Sequence, residues 1–193
     1  MICEQWFPTP IWYGNFDSIN ETQYNNAIKY CKELAAMHPG RKISNDGGWQ
    51  SNDFINTKGT PLEIFFNEIK PNVQQALLEF GITRNLNITN FWININYKNS
   101  KNYSHNHAGG SLSGVFYLTK KNSNIIFERE RDISSYHISW LNSKKNTPLT
   151  YNIASYTPQQ GQFLIFPSWI FHSVETNNTE EERISVAFNV GFL

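Results

Sequence analysis

The early part of the chain carries two stretches in which apolar residues recur at the spacing of an amphipathic helix. In the first stretch the apolar positions are Tyr24, Ala27, Ile28, Cys31, Leu34 and Ala35, and their three- and four-residue spacing predicts a helix with one buried face. Either Asp17 or Ser18 can cap its start, and Pro39-Gly40 should end it. We therefore expect a packing helix here.

The second helical stretch begins at Thr60, where Thr60-Pro61-Leu62-Glu63 has the form of a capping box with proline in the first turn. Its apolar stripe consists of Leu62, Phe65, Phe66, Ile69, Val73, Ala76, Leu77 and Phe80. Pro71 lies inside this stripe and predicts a kink or a break near Lys70. Gly81 should end the helix.

From Thr89 onward the helical period gives way to alternation of apolar and polar residues in short runs, which is typical of β-strands. The candidate strands are Phe91 to Tyr97, Tyr103 to His107, Leu112 to Thr119, Asn124 to Glu128, Tyr151 to Ser155, Gln162 to Phe166, Phe171 to Glu175 and Arg183 to Phe192. The proline-containing segment WFPTPIWYG near the start should run along a sheet edge. The sequence therefore predicts a mainly β fold with α-helices (α+β), a sandwich or barrel covered by helices on one side.

Composition and charge limit the classes of protein. A chain of 193 residues with 39% hydrophobic content forms one domain, in which we expect residues 1–85 to be helical support and residues 86–193 to be the β core. Sixteen basic and sixteen acidic residues cancel, so neither a nucleic acid nor a membrane is an expected partner. A small-molecule or peptide substrate and a homodimer both remain open. Without a signal-peptide pattern or a run of about 20 apolar residues, the sequence predicts a cytoplasmic protein.

Three histidines are the candidate metal ligands. His105 and His107 stand one residue apart, so on an extended strand both imidazoles project to one side of the sheet. His172, within PSWIFHSV, supplies a third imidazole, and imidazole binds iron, zinc, copper and nickel. The alternative interpretations are exposed loop histidines for the pair and a satisfied core histidine for His172.

A polar strand face begins at Arg183. In RISVAFNVGF, Arg183 and Ser185 alternate with apolar residues, and a guanidinium beside a hydroxyl suits a carboxylate ligand. The alternative is a surface ion pair with one of the adjacent acids, Glu180, Glu181 or Glu182.

Taken together, these segments resemble the iron(II)- and 2-oxoglutarate-dependent oxygenases, especially the prolyl-hydroxylase-like branch and its small members from phage and marine bacteria. The matching text is Tyr97 and Tyr103 ahead of His105, then SGVFYL, IIFE, PQQGQFLIFPSWIFHSV and ERISVAFNV, with WFPTPIW and GGWQS nearer the start. The resemblance implies a double-stranded β-helix (a jelly roll, cupin-like) and Fe(II) as the metal, with 2-oxoglutarate as co-substrate. It also implies a dioxygenase, an oxidoreductase that hydroxylates a small molecule or a protein side chain and releases succinate and CO2.

Carried over by residue, His105 matches the first histidine of the His-x-Asp/Glu motif, and His172 matches the distal histidine. Arg183 and Ser185 match the Arg-x-Ser pair that binds the far carboxylate of 2-oxoglutarate. At position 107 the chain departs from the motif, because a histidine stands where a carboxylate is expected. Three histidine ligands are our first hypothesis, and the alternative carboxylates are Glu128, Asp132 and Glu175.

Further polar and aromatic residues are candidates for the surroundings of the metal. We expect Asn96 and Tyr117 to bind 2-oxoglutarate, and Asn94, Trp92 and Trp49 to line the substrate pocket. For each of them, ordinary packing in the sheet or core is the alternative.

Two other functions compete with the oxygenase. A cupin-like metal enzyme without 2-oxoglutarate would leave Arg183 without a role, and Leu112 stands where its usual glutamate is expected. A non-catalytic β-sandwich binding module would place His105, His107 and His172 far apart.

Overall fold

The computed structural model describes residues 2, 8–83, 86–120, 123–129 and 151–192. These residues form two helices, α1 (Glu21–Met37) and α2 (Glu63–Glu79). Their strands are β1 (Trp12–Asn15), β2 (Asn45–Asp46), β3 (Trp49–Gln50), β4 (Asn87–Asn96), β5 (Lys101–His105), β6 (Leu112–Tyr117), β7 (Ile125–Glu128), β8 (Ile153–Tyr156), β9 (Gln162–Pro167), β10 (His172–Val174) and β11 (Arg183–Gly191).

The strands form two antiparallel sheets. One sheet has the order β1-β9-β6-β11-β4-β3, and the other has the order β2-β5-β10-β7-β8. Phe166 of the first sheet contacts Phe127 of the second, with ring centroids 4.9 Å apart, and both lie in an apolar cluster that also contains Val115 and Ile125. The two sheets therefore pack as a sandwich, as the strand pattern predicted.

Alternation along β4 and β11 separates two environments. Ile93 and Ile95 of β4 lie with Ile184 and Val186 of β11 in the core that contains both helices. Because side chains on a strand alternate between faces, Trp92, Asn94 and Asn96 point to the other face, toward the second sheet. In the antiparallel register Asn96 is opposite Arg183 and Asn94 is opposite Ser185. The polar face of β11 thus meets the polar face of β4 inside the sandwich.

The helix starts differ from the predicted ones, whereas the predicted ends at Pro39-Gly40 and at Gly81 are confirmed. Asn20, not Asp17 or Ser18, caps α1, and it forms a reciprocal capping box with Gln23. The predicted capping box at Thr60 does not form, since the Thr60 hydroxyl donates to the Thr57 carbonyl in a preceding turn.

Pro71 lies within α2, which runs unbroken from Glu63 to Glu79. Of the two predicted effects of Pro71, the break near Lys70 is therefore wrong, and the kink stays a prediction. Ile69 and Val73 on either side of Pro71 are both buried in the same core, and this packing stabilises the helix across the proline.

Strand β5 ends at His105, two residues before the predicted end, and it contains a bulge. His105 pairs with His172 of β10, while Asn102 pairs with Val174. The two paired positions are thus three residues apart in β5 and two residues apart in β10. Because the bulge adds one residue, Asn102 and His105 face the same side, although regular alternation would separate them.

The segment before α1 supplies β1, which pairs with β9 at the edge of the first sheet, so the predicted edge position is confirmed. Strands β2 and β3 also come from before residue 85, and the division into helical support and β core stays a prediction. No helix within the described ranges has the length and apolarity needed to span a membrane.

Candidate active site

The three candidate histidines converge between the sheets. His105 ends β5 and His172 begins β10. His107 follows β5, and its own backbone N–H donates to the Ser168 carbonyl. One ring nitrogen from each histidine lies within 4.8 Å of the others, and the Nε2 atoms of His107 and His172 are 3.2 Å apart. The binding-module hypothesis predicted separated histidines and is therefore wrong.

Backbone carbonyls set the tautomers of two of these rings. The Nδ1 of His105 is 2.8 Å from the Tyr103 carbonyl oxygen, and the Nδ1 of His172 is 3.0 Å from the Ile170 carbonyl oxygen. A carbonyl only accepts, so each Nδ1 carries the hydrogen and each Nε2 keeps a free lone pair.

The spacing of one pair of imidazole nitrogens, those of His107 and His172, fits a shared metal ion. Two nitrogens that bind one ion at right angles, with bonds of roughly 2.1 Å, lie roughly 3.0 Å from each other. The separation of 3.2 Å between His107 and His172 is close to this value. The donor set and the fixed tautomers thus suit a divalent ion such as iron(II).

Burial keeps the three rings neutral. It is the largest cause that lowers the pKa of His172 to about 3 and of His107 to about 4. The charge of His105 lowers both pKa values further, and that of His107 also lowers the pKa of His172. Burial likewise lowers the pKa of His105, against the opposing hydrogen bond to Tyr103. Neutral imidazole is the form that binds a metal, so at neutral pH the site needs no deprotonation before binding.

His107 is held by side chains. The indole of Trp92 stacks on its ring with centroids 5.2 Å apart. The Asn189 side chain acts on the same ring and partly offsets the lowering of the His107 pKa. The Asn189 amide is itself fixed, since its Oδ1 accepts from the Ser113 hydroxyl at 2.9 Å and its Nδ2 donates to Asn90 at 3.2 Å.

Arg183 lies buried in the same cavity, with only 4% of its surface exposed. It takes part in none of the ion pairs formed among the described residues. Glu180 pairs with Lys98 and Glu182 pairs with Lys32 instead. The alternative of a surface ion pair for Arg183 is therefore wrong, and its charge is left for a ligand.

Two partners hold the guanidinium of Arg183. Its Nη1 donates to Asn96 Oδ1 at 3.2 Å, and its central carbon lies 4.9 Å from the centroid of the Tyr117 ring. Burial lowers the pKa of Arg183, and the nearby Tyr117 opposes that effect. Both contacts are neutral, so neither cancels the positive charge.

Two buried polar atoms near Arg183 lack hydrogen-bond partners among the described residues, namely Asn94 Oδ1 and the Tyr117 hydroxyl. Burial raises the pKa of Tyr117 to about 12, although the charge of Arg183 acts in the opposite direction. The hydroxyl therefore stays protonated and can donate. An unpartnered buried polar group is costly. The Tyr117 hydroxyl, which can donate, and the unpaired cation of Arg183 therefore fit an anionic ligand such as 2-oxoglutarate, whereas Asn94 Oδ1 needs a donor.

A family profile gives the identity of this site. The family described as "Putative 2OG-Fe(II) oxygenase" matches residues 90–189, just over half of the chain. The chain belongs to this family. It is thus an oxidoreductase that uses iron(II) and 2-oxoglutarate, and the resemblance seen in the sequence is confirmed. A search of the curated proteins finds no match.

Solved structures support the fold of this oxygenase. A Pseudomonas putida prolyl-4-hydroxylase superposes with a TM-score of 0.64 at 10% identity, covering 96% of this chain and 94% of the other. A Trichoplax adhaerens prolyl hydroxylase in complex with a hypoxia-inducible-factor peptide fragment gives 0.65 at 9% identity, with 93% and 82% covered. The epimerase SnoN, in complex with Fe3+, alpha-ketoglutarate and nogalamycin RO, gives 0.65 at 11% identity, with 95% and 79% covered. The predicted double-stranded β-helix is thereby confirmed, whereas a phage or marine source stays a prediction.

The fold of the oxygenase brings most of the predicted site residues to one cavity. That cavity is lined by His105, His107, His172, Arg183, Ser185, Asn94 and Trp92. Asn96 and Tyr117 contact Arg183 beside it. Neither Glu128 nor Glu175 belongs to the group of possible metal ligands, and Asp132 lies outside the described residues.

Trp49 is placed elsewhere. It pairs with Ile95 across β3 and β4, so it shares the face of Ile95 and lies in the core that contains the helices. Its indole donates to the His38 carbonyl at 2.9 Å. The structure thus gives it no contact with the cavity, in contrast to the predicted pocket role.

Sequence reasoning missed Asn102, Ser44 and Asn189 of the oxygenase. Asn102 and Ser44 line the cavity, and Asn189 raises the pKa of His107. The alternation in RISVAFNV does place Asn189 on the face of Arg183, a signal that was present. Nothing local marks Asn102, because a bulge decides its direction.

Proposed function

We propose that this oxygenase hydroxylates a small molecule or a peptide side chain, with His105, His107 and His172 as its iron ligands. In the same proposal, Arg183 and Ser185 bind the far carboxylate of 2-oxoglutarate. The observation that carries the assignment is an arginine that is buried without a counter-ion in the cavity lined by the three histidines. A bidentate guanidinium–carboxylate contact would supply the missing anion.

Bound iron(II) and 2-oxoglutarate supply oxygen activation that is coupled to decarboxylation of the co-substrate, with succinate and CO2 as products. The task of the chain is to bind, orient and exclude water. Arg183 gives the co-substrate its direction, and the protonated Tyr117 hydroxyl adds a donor beside it. The aromatic rings of Trp92 and Phe166 line the same cavity and limit the access of water.

The replacement of a carboxylate by His107 changes the charge balance of the site. Three neutral histidines leave both positive charges of iron(II) without compensation from the protein, and Arg183 adds another. A dianionic co-substrate would neutralise most of this charge. We therefore expect iron(II) and 2-oxoglutarate to bind cooperatively, each strengthening the binding of the other.

The substrate class follows from the cavity only in broad terms. Trp92, Val115, Ile125, Phe166 and Val174 form an apolar lining, which suits an uncharged aliphatic or aromatic group. Among the similar structures, one prolyl hydroxylase contains a peptide and SnoN contains a small molecule, and both classes remain part of the proposal.

The test is anaerobic titration of iron(II) and 2-oxoglutarate into the wild type and into His105→Ala, His172→Ala and Arg183→Ala. The readout is the weak metal-to-ligand charge-transfer absorption in the visible. We expect a band that disappears in both histidine variants and that needs much more 2-oxoglutarate in Arg183→Ala. Metal binding without any band in the wild type would instead favour the cupin-like enzyme that needs no 2-oxoglutarate.

A further inference from the structure

A chain of four buried side chains leads from Arg183 to the loop before β2. Arg183 Nη1 donates to Asn96 Oδ1 at 3.2 Å, Asn96 Nδ2 donates to Asn102 Oδ1 at 3.0 Å, and Asn102 Nδ2 donates to Ser44 Oγ at 3.2 Å. Each amide thus accepts a hydrogen bond through its oxygen and donates one through its nitrogen. In every hydrogen bond of the chain, the donor lies on the side of Arg183 and the acceptor lies on the side of Ser44.

All four side chains are removed from water, with exposed fractions of 4% for Arg183, 1% for Asn96, 7% for Asn102 and 8% for Ser44. Buried arginine usually has a carboxylate partner. Here the nearest members of the network are neutral amides, which orient the guanidinium through hydrogen bonds without reducing its charge.

The bulge in β5 is what adds Asn102 to this network. Asn102 and His105 pair with Val174 and His172, and both line the cavity. The Ser44 end is also fixed, because its carbonyl accepts from the Tyr103 backbone N–H at 2.8 Å. The network therefore connects the strand that carries a metal ligand with the strand that carries Arg183.

We infer that Asn96, Asn102 and Ser44 form a neutral relay that positions Arg183 and preserves its full charge for the far carboxylate of the co-substrate. Asn102 and Ser44 are positioning residues in this inference, which rests on the proposed function. Asn96 acts in the same way, since its two amide atoms already bind Arg183 and Asn102.

A purely structural role for the amides predicts a different behaviour. If the relay only satisfies buried polar groups, any change at Asn102 alters the stability of the protein and weakens the binding of all 2-oxo acids alike. If it preserves the charge of Arg183, a change of charge at Asn102 acts selectively on ligands that carry the far carboxylate.

Asn102→Asp separates the two roles. The aspartate is isosteric, still accepts from Asn96 Nδ2, and can accept from the Ser44 hydroxyl once that hydroxyl rotates. It places a negative charge roughly 10 Å from the bound carboxylate, which at an effective dielectric constant of about 20 changes an equilibrium constant about tenfold. Asn102→Ala breaks the relay without adding charge.

The experiment measures dissociation constants of 2-oxoglutarate and of 2-oxopentanoate, which lacks the far carboxylate, on the iron(II)-loaded protein without oxygen. We expect Asn102→Asp to weaken the binding of 2-oxoglutarate about tenfold more than the binding of 2-oxopentanoate, because both acids keep the carboxylate next to the ketone and only 2-oxoglutarate has the far one. Asn102→Ala should lower the preference for 2-oxoglutarate over 2-oxopentanoate by a smaller factor. Iron(II) affinity in the absence of 2-oxo acid should not fall in either variant, because Asn102 is not a metal ligand and an added negative charge attracts the ion.

Asn99→Asp is the matched control, because it adds the same charge on the exposed turn between β4 and β5 and should leave both constants unchanged. The inference is overturned if Asn102→Asp weakens both 2-oxo acids equally or keeps the wild-type preference. A wild type that does not prefer 2-oxoglutarate would overturn the proposed function itself, so the two failures are distinguishable.

Discussion

Replacing Arg183 by methionine should make the metal-loaded protein more stable without 2-oxoglutarate and less stable with it. Methionine keeps most of the length and the apolar stem of arginine but removes a buried charge that has no acidic partner among the described residues. An ion buried without a counter-charge costs several kcal/mol. The contacts with Asn96 and the Tyr117 ring offset about 1–2 kcal/mol each.

The difference favours methionine by about 1 kcal/mol, which for a chain of this size raises Tm by roughly 2–4 °C. Adding 2-oxoglutarate at 100 times its Kd stabilises the wild type by about 2.7 kcal/mol. The variant gains little, because it lacks the partner of the far carboxylate. The order of stability should therefore reverse when 2-oxoglutarate is added.

Chemical denaturation of both proteins, with iron(II) present and oxygen excluded, measures this reversal. Arg41→Met is the control, since the Arg41 charge is already paired with Asp53, and its small effect should be the same with and without 2-oxoglutarate. A loss of several kcal/mol in ligand-free Arg183→Met would refute the reasoning, because it would make Arg183 a structural cation. Equal stabilisation of wild type and variant by 2-oxoglutarate would refute it as well.

Three further predictions concern the histidines and the packing of the sheet. His107→Ala should lower iron(II) affinity by about 100-fold or more, whereas His107→Asp should retain binding. Competition with a chelator measures this affinity. Wild-type affinity in His107→Ala would remove His107 from the set of metal ligands. The free energy of unfolding of the metal-free protein should fall by about 3 kcal/mol between pH 7.5 and 5.5. Burial lowers the pKa of His107 to about 4 and of His172 to about 3 in the folded state, from about 6.5 in the unfolded state. Protons therefore bind the unfolded state first as the pH falls. Urea unfolding in the presence of a chelator checks this, and a flat profile contradicts it. Gly114→Ala should lower the free energy of unfolding by about 1–3 kcal/mol or more, because its Cβ would lie 2.2 Å from Phe188 Cζ. Gly191→Ala is the control, since its Cβ would have its nearest contact at 3.6 Å and should change the stability little in the same assay.

Much of the fold follows from the sequence alone. The alternation from Phe91 to Tyr97 and from Arg183 to Phe192 predicted β4 and β11, and the apolar stripes predicted α1 and α2. These signals are local, because the period of apolar residues reports how often a side chain meets the core. The chemistry was also predictable, since three imidazoles and a guanidinium are few in number and suited to few ligands.

Pairing between distant segments decided the rest. Which face of a strand is internal depends on its partner and register, and neither is encoded near the residue itself. Trp49 lies with the helices because it pairs with Ile95, and Asn102 reaches the cavity because β5 bulges opposite β10. Arg183 looks like a surface residue beside three acids in the sequence, yet the antiparallel pairing of β11 with β4 places it inside, opposite Asn96. The sequence by itself thus determined the elements and the candidate groups, whereas only the tertiary structure decided which of those groups share one cavity, because side chains distant in the chain meet only through strand pairing.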